Sequence, residues 1–453
     1  MTSSYDERTV ARLIHDDLAH LLHPQHYAPD HQDPIIFDRG EGVWLTDVRG
    51  RRYIDGLASL WNVAVGHGRA ELAEVAAEQL RKLAFTTAYT GFSNVPAIEL
   101  AGKVLDLAYP NMGGVFFTNS GSESNEGAFK AARFYWNLKG RPSKVKLIAR
   151  ERAYHGGTLA ASAMTGLPVF WKYFGPLVPE IVHTRKPDNL ECDCTLNADG
   201  ECAHWVEAAI EREGADTVAA VICEPVKGAG GVLPPSDEYF VRLREICDRH
   251  EVLLIADEVI TGFGRTGHWF ALQRWGVNPD LMSVAKAITS AYIPMGAFIV
   301  SQPIMDALHD LPPDARFMHA YTNSAHPGAA AVALRNLQIF EDEKLVSNAG
   351  AMGVRLASGI RRALGAHPHV TNIRSLGLMA GVTLVKDAER GTPYDPADGI
   401  GGKVARHMRQ EGGVITRFVG DHVVFAPPLV VNASEVDLIV DALERAVRAV
   451  TGA

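Results

Sequence analysis

The run Val252-Leu-Leu-Ile-Ala-Asp257-Glu258 is the most apolar of the chain, and it stops abruptly at two carboxylates. Other short apolar runs also end at glycine or polar residues and are followed by helical periodicity: Val115-Phe-Phe, Val145-Lys-Leu-Ile, Val218-Ala-Ala-Val-Ile-Cys and Leu281-Met-Ser-Val-Ala. A strand with one wet face alternates apolar and polar residues, whereas a run without alternation fits a strand covered on both faces, as in helix-flanked parallel sheets. The pattern predicts an α/β chain with a mainly parallel central sheet. Ligands of such sheets gather at the carboxyl ends of the strands. Here those positions hold Thr118-Asn-Ser-Gly-Ser122, Tyr154-His155, Glu224-Pro225, Asp257-Glu258 and Lys286.

Upstream, Gly42-Val-Trp-Leu-Thr-Asp-Val-Arg-Gly-Arg-Arg-Tyr-Ile-Asp55 reads as a β-hairpin turning at Gly50. Beyond about Asn323 the pattern becomes helix, then short strands such as Gly381-Val-Thr-Leu and His422-Val-Val-Phe, then a closing helix from Ser434, read as its N-cap, to roughly Val450. We expect residues 1–75 to contribute to a small domain, 76–324 to form a large one, and 325–453 to complete the small one.

Bulk properties exclude several classes. With 453 residues, 47% hydrophobic and 21% charged, the chain is composed like an ordinary globular protein with a large core. A formal charge of −9, with basic residues scattered, leaves no electrostatic footprint for nucleic acid or an anionic membrane. The polar, acidic start Met1-Thr-Ser-Ser-Tyr-Asp-Glu-Arg lacks the basic and apolar parts of a secretory signal, and no run has the length of a membrane span. Five cysteines are too few for a disulfide framework, so the expected compartment is the cytoplasm.

The segment Thr118-Asn-Ser-Gly-Ser122 follows a strand and opens a helix over Glu123–Trp136, so free N–H groups, hydroxyls and the helix dipole converge there. That point suits a phosphate monoester; the alternative is an ordinary helix cap. Asp257 ends a buried run, where a carboxylate is costly unless a cation such as a protonated pyridine nitrogen meets it, or a structural partner does. Lys286, between Ala285 and Ala287, sits in apolar surroundings that disfavour its charge, and a neutral amine can form a Schiff base with an aldehyde.

In this order and spacing the segments resemble class III aminotransferases, the ω-transaminase group of fold type I pyridoxal phosphate (PLP) enzymes. The resemblance runs from about Asp33 to the C-terminus. It is carried by Leu60-Trp-Asn-Val-Ala-Val-Gly-His-Gly, Thr118-Asn-Ser-Gly-Ser-Glu-Ser-Asn, Ala153-Tyr-His-Gly, Glu224-Pro-Val, Ala256-Asp-Glu-Val-Ile-Thr-Gly-Phe-Gly-Arg-Thr-Gly and Ala285-Lys-Ala. It implies PLP as cofactor and a small α/β domain built from both termini. Lys286 would be the Schiff-base lysine and proton shuttle, Asp257 the partner of the pyridine nitrogen, Val259 and Tyr154 the two ring faces. Ser120, Gly121 and Ser122 would hold the phosphate, with His155 and Glu224 also binding the cofactor. Thr322 resembles the family threonine that reaches the phosphate from the neighbouring subunit, which implies a homodimer with interfacial sites, or a tetramer built from it. Asn323 and Ala325 stand where relatives commonly have tyrosine and glycine, and Ile288-Thr-Ser-Ala-Tyr-Ile-Pro replaces a glycine-richer segment.

The resemblance extends to substrates. Arg417, in Ile415-Thr-Arg-Phe-Val-Gly-Asp, resembles the mobile arginine that binds the keto-acid carboxylate. Trp61, Phe85, Tyr89, Tyr154 and Ala229 match substrate-pocket positions, although aromatic residues of a large chain often serve only the core. The implied reaction moves an amino group from a primary amine donor to a keto-acid acceptor, pyruvate foremost. Relatives acting on taurine, β-alanine or polyamines share these motifs, and decarboxylation or an aminomutase shift is possible chemistry on the same fold.

Cys192-Asp-Cys194 and Cys202-Ala-His204 have the ligand types of a structural zinc site, but Cys-x-Cys followed by Cys-x-His departs from common zinc spacings. Our reading of the sequence is loop thiols without metal, with zinc as the alternative.

Overall fold

A helix, Glu7–His20, and a short 3₁₀ turn, Ala28–His31, precede the expected hairpin. In a computed structural model, which describes residues 5–187 and 194–453, β1 (Phe37–Glu41), β2 (Trp44–Asp47) and β3 (Arg52–Asp55) form an antiparallel meander whose second turn carries Gly50 at φ +80°. The apolar runs then become β4 (Met112–Thr118), β5 (Lys146–Ala149), β7 (Val218–Cys223), β8 (Leu253–Asp257) and β9 (Leu281–Val284). With β6 (Ile181–His183) and β10 (Gly296–Ser301) they make a seven-stranded sheet ordered β4-β10-β9-β8-β7-β5-β6. The pairs from β9 through β6 are parallel, and β10 runs against both its neighbours.

Alternation along β7 and β8 explains why these runs lack polar residues. Ala220, Ile222, Leu253 and Ile255 pack with Ala128, Phe129 and Ala132 of the helix Gly121–Leu138, while Val221, Cys223, Leu254 and Ala256 join the core on the other face. Both faces are dry, so every position is apolar until the strand ends. The same pleat separates the two carboxylates that follow. Asp257 continues the row of Leu253 and Ile255 toward the helix, whereas Glu258 turns to the opposite side, where it accepts hydrogen bonds from Tyr109, Thr261 and the N–H of Ala271. Burial pushes its pKa up to about 7. Glu258 is therefore a structural brace.

After the helices Pro327–Asp342 and Leu345–Leu364 come β11 (Val370–Leu376), β12 (Met379–Leu384), β13 (Val414–Ile415), β14 (Arg417–Val419) and β15 (His422–Phe425). β11, β12, β15 and β14 form an antiparallel sheet in that order. β13 instead pairs in parallel with β3, joining the end of the chain to its beginning. The closing helix spans Ala433–Thr451, and its N-cap is Asn432 rather than Ser434. The Asn432 side chain accepts from the N–H of Glu435, the Glu435 carboxylate accepts from the N–H of Asn432, and the Ser434 hydroxyl donates to Asn432. Among the described residues no helix is long and apolar enough to cross a membrane.

Candidate active site

The helix Gly121–Leu138 starts three residues after β4 ends at Thr118, and Ser120 caps it through a hydrogen bond accepted from the Glu123 N–H (3.2 Å). The Ser120 oxygen is the acceptor of that cap, which leaves its O–H able to donate. The first N–H groups of the helix, including those of Gly121 and Ser122, have no acceptor within it. Gly121 is required by space: a Cβ there would lie 2.8 Å from Cγ1 and 3.0 Å from Cγ2 of Val259. The Ser122 hydroxyl accepts from the N–H of Gly157 (3.1 Å), tying the helix start to the Tyr154–Gly157 loop.

One turn along that helix, Asn125 donates to Asp257 Oδ2 (2.8 Å) and to the carbonyl of His155 (2.7 Å). His155 Nδ1 lies 2.7 Å from the same Oδ2, so the carboxylate selects the Nδ1–H tautomer, and the N–H of Val259 donates to Oδ1 (3.1 Å). Asp257 is 3% exposed. An unpaired carboxylate at that depth would cost several kcal/mol, and three fixed donors offset much of this while keeping its position. His155 Nε2 and Asn125 Oδ1 are buried without a partner.

Glu224, at the end of β7, accepts from the N–H groups of Tyr154 (2.9 Å) and Gly228 (2.9 Å), and burial raises its pKa. Lys286 follows β9 with φ +51°, a left-handed conformation that costs a side-chain-bearing residue free energy and turns the chain sharply at the pocket. Burial pushes its ammonium below the usual lysine range, against the opposing pull of Asp257 and Glu224. No described residue hydrogen-bonds its Nζ.

These groups line one cavity of about 160 Å³, with Gly121, Ser122, Asn125, Tyr154, His155, Glu224, Asp257, Val259 and Lys286 in its walls. It adjoins a second of about 60 Å³, walled by Gln25, Leu60, Trp61, Tyr154, Phe170, Ala229, Ile260, Lys286 and Arg417. Leu60, Tyr154, Ile260 and Lys286 are common to both. Trp61 reaches this wall through a strained turn, with Ala58, Ser59 and Trp61 all at positive φ. Buried Asp55 holds the turn, accepting from the N–H groups of Leu57 (3.2 Å) and Ser59 (2.8 Å to Oδ1 and 2.7 Å to Oδ2) and meeting His67 at 2.9 Å.

Arg417, at the start of β14, faces the smaller cavity without a carboxylate partner among the described residues. Burial disfavours its charge, with Tyr154 acting the other way.

A buried carboxylate clamped by three donors, a deprotonation-prone lysine opposite, and a helix start narrowed by a glycine form a receptacle for an aromatic cationic ring bearing a phosphate and a carbonyl. Residues 26–447 match the family model described as Aminotransferase class-III. The chain belongs to the class-III aminotransferases. A putrescine–pyruvate aminotransferase of Pseudomonas aeruginosa is 38% identical over 406 residues, 89% of this chain and 88% of that protein. The crystal structure of a thermostable (S)-enantioselective ω-transaminase from Thermomicrobium roseum superposes with a TM-score of 0.92 at 41% identity, covering 99% and 100% of the two chains. The ω-transaminase of Pseudomonas jessenii, solved in complex with PMP, superposes at 0.91 with 39% identity, covering 97% and 98%. The fold is the fold type I arrangement of these enzymes, and the cofactor of this aminotransferase is PLP.

Gly121, Ser122, Tyr154, His155, Glu224, Asp257, Val259, Lys286, Trp61, Ala229 and Arg417 all line the paired cavities of this aminotransferase. Phe85 and Tyr89 do not; each is 42% exposed, and Phe85 packs on His326. Thr322 is exposed too. Cys194 and Cys202 lie in the loop before the helix His204–Glu213 and His204 is its first residue, all three outside both cavities, and Cys192 lies outside the described residues. Asn125, Gln25, Phe170, Leu60 and Ile260 were not picked out as site residues. Asn125 sits four residues after Gly121, one helical turn on the same face, a spacing that was available to mark it.

Proposed function

We propose that this aminotransferase transfers the amino group of an apolar or aromatic primary amine to pyruvate, giving a carbonyl product and alanine. The observation that carries the reading is the Arg417 guanidinium beside Lys286, without a carboxylate of its own. A planar five-donor cation fits a carboxylate bidentately. Of the remaining walls of the small cavity, Leu60, Trp61, Phe170, Ala229 and Ile260 favour an apolar body, beside the polar Gln25 and the Tyr154 ring. Among the described residues of one chain, no carboxylate lines the small cavity to meet a second ammonium, which weighs against diamines.

The roles follow from position. The helix start at Gly121 and Ser122 would hold the phosphate, Val259 and Tyr154 would flank the ring, and Asp257 would pair with its nitrogen, with His155 and Asn125 keeping that carboxylate fixed. When bound, PLP supplies an aldehyde that condenses with amines and a ring that takes up the electron pair left when the substrate C–H bond breaks. Lys286 would anchor the cofactor and then carry the proton at its Nζ, a task that suits an amine depressed by burial. Trp61, Phe170 and Ile260 would exclude water from the reacting carbon. Arg417 would bind the acceptor carboxylate and fall idle when the amine donor occupies the same space.

A homodimer belongs to this reading. Phe85, Tyr89, Phe92, Val95 and Ile98, each 42–63% exposed, form an apolar stretch that a second subunit would cover, and Thr322 would then reach the partner's cofactor. Light scattering on the purified enzyme should return twice the chain mass.

The deciding experiment is a donor panel with pyruvate, read as alanine formed, on the wild type and Arg417→Ala. Charge-assisted hydrogen bonds of about 1.5–3 kcal/mol predict a loss of roughly 10- to 150-fold in kcat/KM for pyruvate with PLP affinity retained. Unchanged pyruvate kinetics in the variant refute the assignment.

A further inference from the structure

Away from the active site, the Sγ atoms of Cys194 and Cys202 and a ring nitrogen of His204 all lie within 4.8 Å of one another. Cys202 is 1% exposed, and Nδ1 of His204 is shut away from solvent with no hydrogen-bond partner. Around a tetrahedral ion with Zn–S near 2.3 Å and Zn–N near 2.0–2.1 Å, ligand atoms stand roughly 3.4–3.8 Å apart. Contraction by about 1 Å, within reach of χ1 adjustments, brings the three to that geometry.

The backbone is built to present them. The residues between Cys194 and Cys202 double back through a turn closed by the Asn197 N–H on the Glu201 carbonyl (2.7 Å) and the Gly200 N–H on the Asn197 carbonyl (2.9 Å), with Gly200 at φ +79°. Lys227, itself buried, grips the turn from below through Asp199 (2.6 Å) and Glu201 (2.5 Å). Thr195 donates its N–H to Glu238 (2.5 Å), and Asn197 accepts from the N–H of Ser236 (2.7 Å). His204 then opens the helix His204–Glu213. Two of the ligand residues thus stand at the ends of a pinned loop and the third on the first turn of a helix, which is how short chain segments are clipped by a metal.

We propose that Cys194, Cys202 and His204 bind a zinc ion that fastens this loop, with a water molecule completing the tetrahedron. Two thiolates and a neutral imidazole balance the 2+ charge, so binding releases two protons from the thiols and involves no redox change. Soft sulfur donors select zinc over magnesium or calcium. The clip braces Lys227 and through it the turn from Glu224 to Gly228, whose next residue, Ala229, lines the substrate cavity. The proposal is independent of which amine the enzyme uses.

The test uses tag-free holoenzyme purified without chelators. Elemental analysis should find about one zinc per chain, falling at least tenfold in both Cys194→Ser/Cys202→Ser and His204→Ala, with PLP content measured alongside. Should a variant fail to fold, the wild type still decides: titration of its thiols should release one equivalent of zinc to a colorimetric chelator, and cobalt-grown enzyme should show the visible d–d bands of a tetrahedral thiolate site. PLP-loaded wild type with less than about a tenth of a metal per chain overturns the proposal. So does a Cys194–Cys202 disulfide in peptide mapping, or zinc retained equally in both variants.

Discussion

Substituting Gly121 by alanine tests whether the narrow approach between the helix start and Val259 shapes the cofactor pocket. Gly121 does not have a positive φ, and alanine is a better helix former by up to about 1 kcal/mol, so the backbone itself should tolerate the change. The added Cβ, however, meets Val259 Cγ1 at 2.8 Å and Cγ2 at 3.0 Å. A β-branched side chain has little rotamer freedom with which to retreat, and Val259 is itself part of the cavity wall. Overpacking of this kind costs about 1–3 kcal/mol, or roughly 5- to 150-fold in affinity if it falls on the bound state. The assay is PLP titration of apo-enzyme, followed by tryptophan quenching, together with the Tm of the apo form. Gly121→Ala should weaken PLP within that range while leaving the apo Tm within a few degrees of wild type. Val259→Ala removes both offending methyls, so Gly121→Ala/Val259→Ala should bind more tightly than the product of the two single effects allows. Wild-type affinity in Gly121→Ala, or strict additivity in the double variant, would refute the steric account.

Asp55→Ala should loosen the strained turn that presents Trp61: loss of a buried, multiply bonded carboxylate predicts about 2–4 kcal/mol less stability by denaturant unfolding and a larger change in KM for a bulky amine than in PLP affinity. Equal effects on both ligands would count against a positioning role. His422 is pushed down to about 4 by burial and by the nearby Arg374 and Arg152. The unfolded ring takes up its proton near pH 6.5, so stability is lost as pH falls from about 6.5 toward 4 and is unaffected above that window. The wild type should lose about 2 kcal/mol more than His422→Gln between pH 6.5 and 4.5; parallel curves would exclude the effect. Borohydride reduction followed by peptide mass mapping should place the pyridoxyl adduct on Lys286, and its appearance on another lysine would overturn the assignment of the site.

The parts that were legible in the sequence are those where burial left no choice of residue. β7 and β8 are covered on both faces, so their composition announced them, and the polar residues at their ends stood out against the apolar run. β6, with three half-buried residues at the sheet edge, carries no such constraint, and β10 runs counter to its neighbours, so its start rather than its end borders Thr118. Gln25 and Phe170 were hidden for a different reason. They reach the pocket from a turn and a short 3₁₀ segment, where no periodicity links side-chain direction to position. Ser120 shows why serine at a helix start is ambiguous: its oxygen accepts the cap bond from the Glu123 N–H, while its O–H can still donate to a phosphate.

The two-residue strand β13 has a practical consequence. Ile415 is held by β3 and by the N–H of Gly56 (2.8 Å), and a Cβ on Gly56 would strike the Ile415 carbonyl at 2.6 Å. Arg417 follows two residues later, so the group assigned to the acceptor is aimed by chain laid down more than three hundred and fifty residues earlier. Chimeras that swap acceptor preference with a homologue therefore need a discontinuous crossover, exchanging the hairpin around residues 37–56 together with the segment around 412–426. A single C-terminal breakpoint would transplant the arginine without its mount.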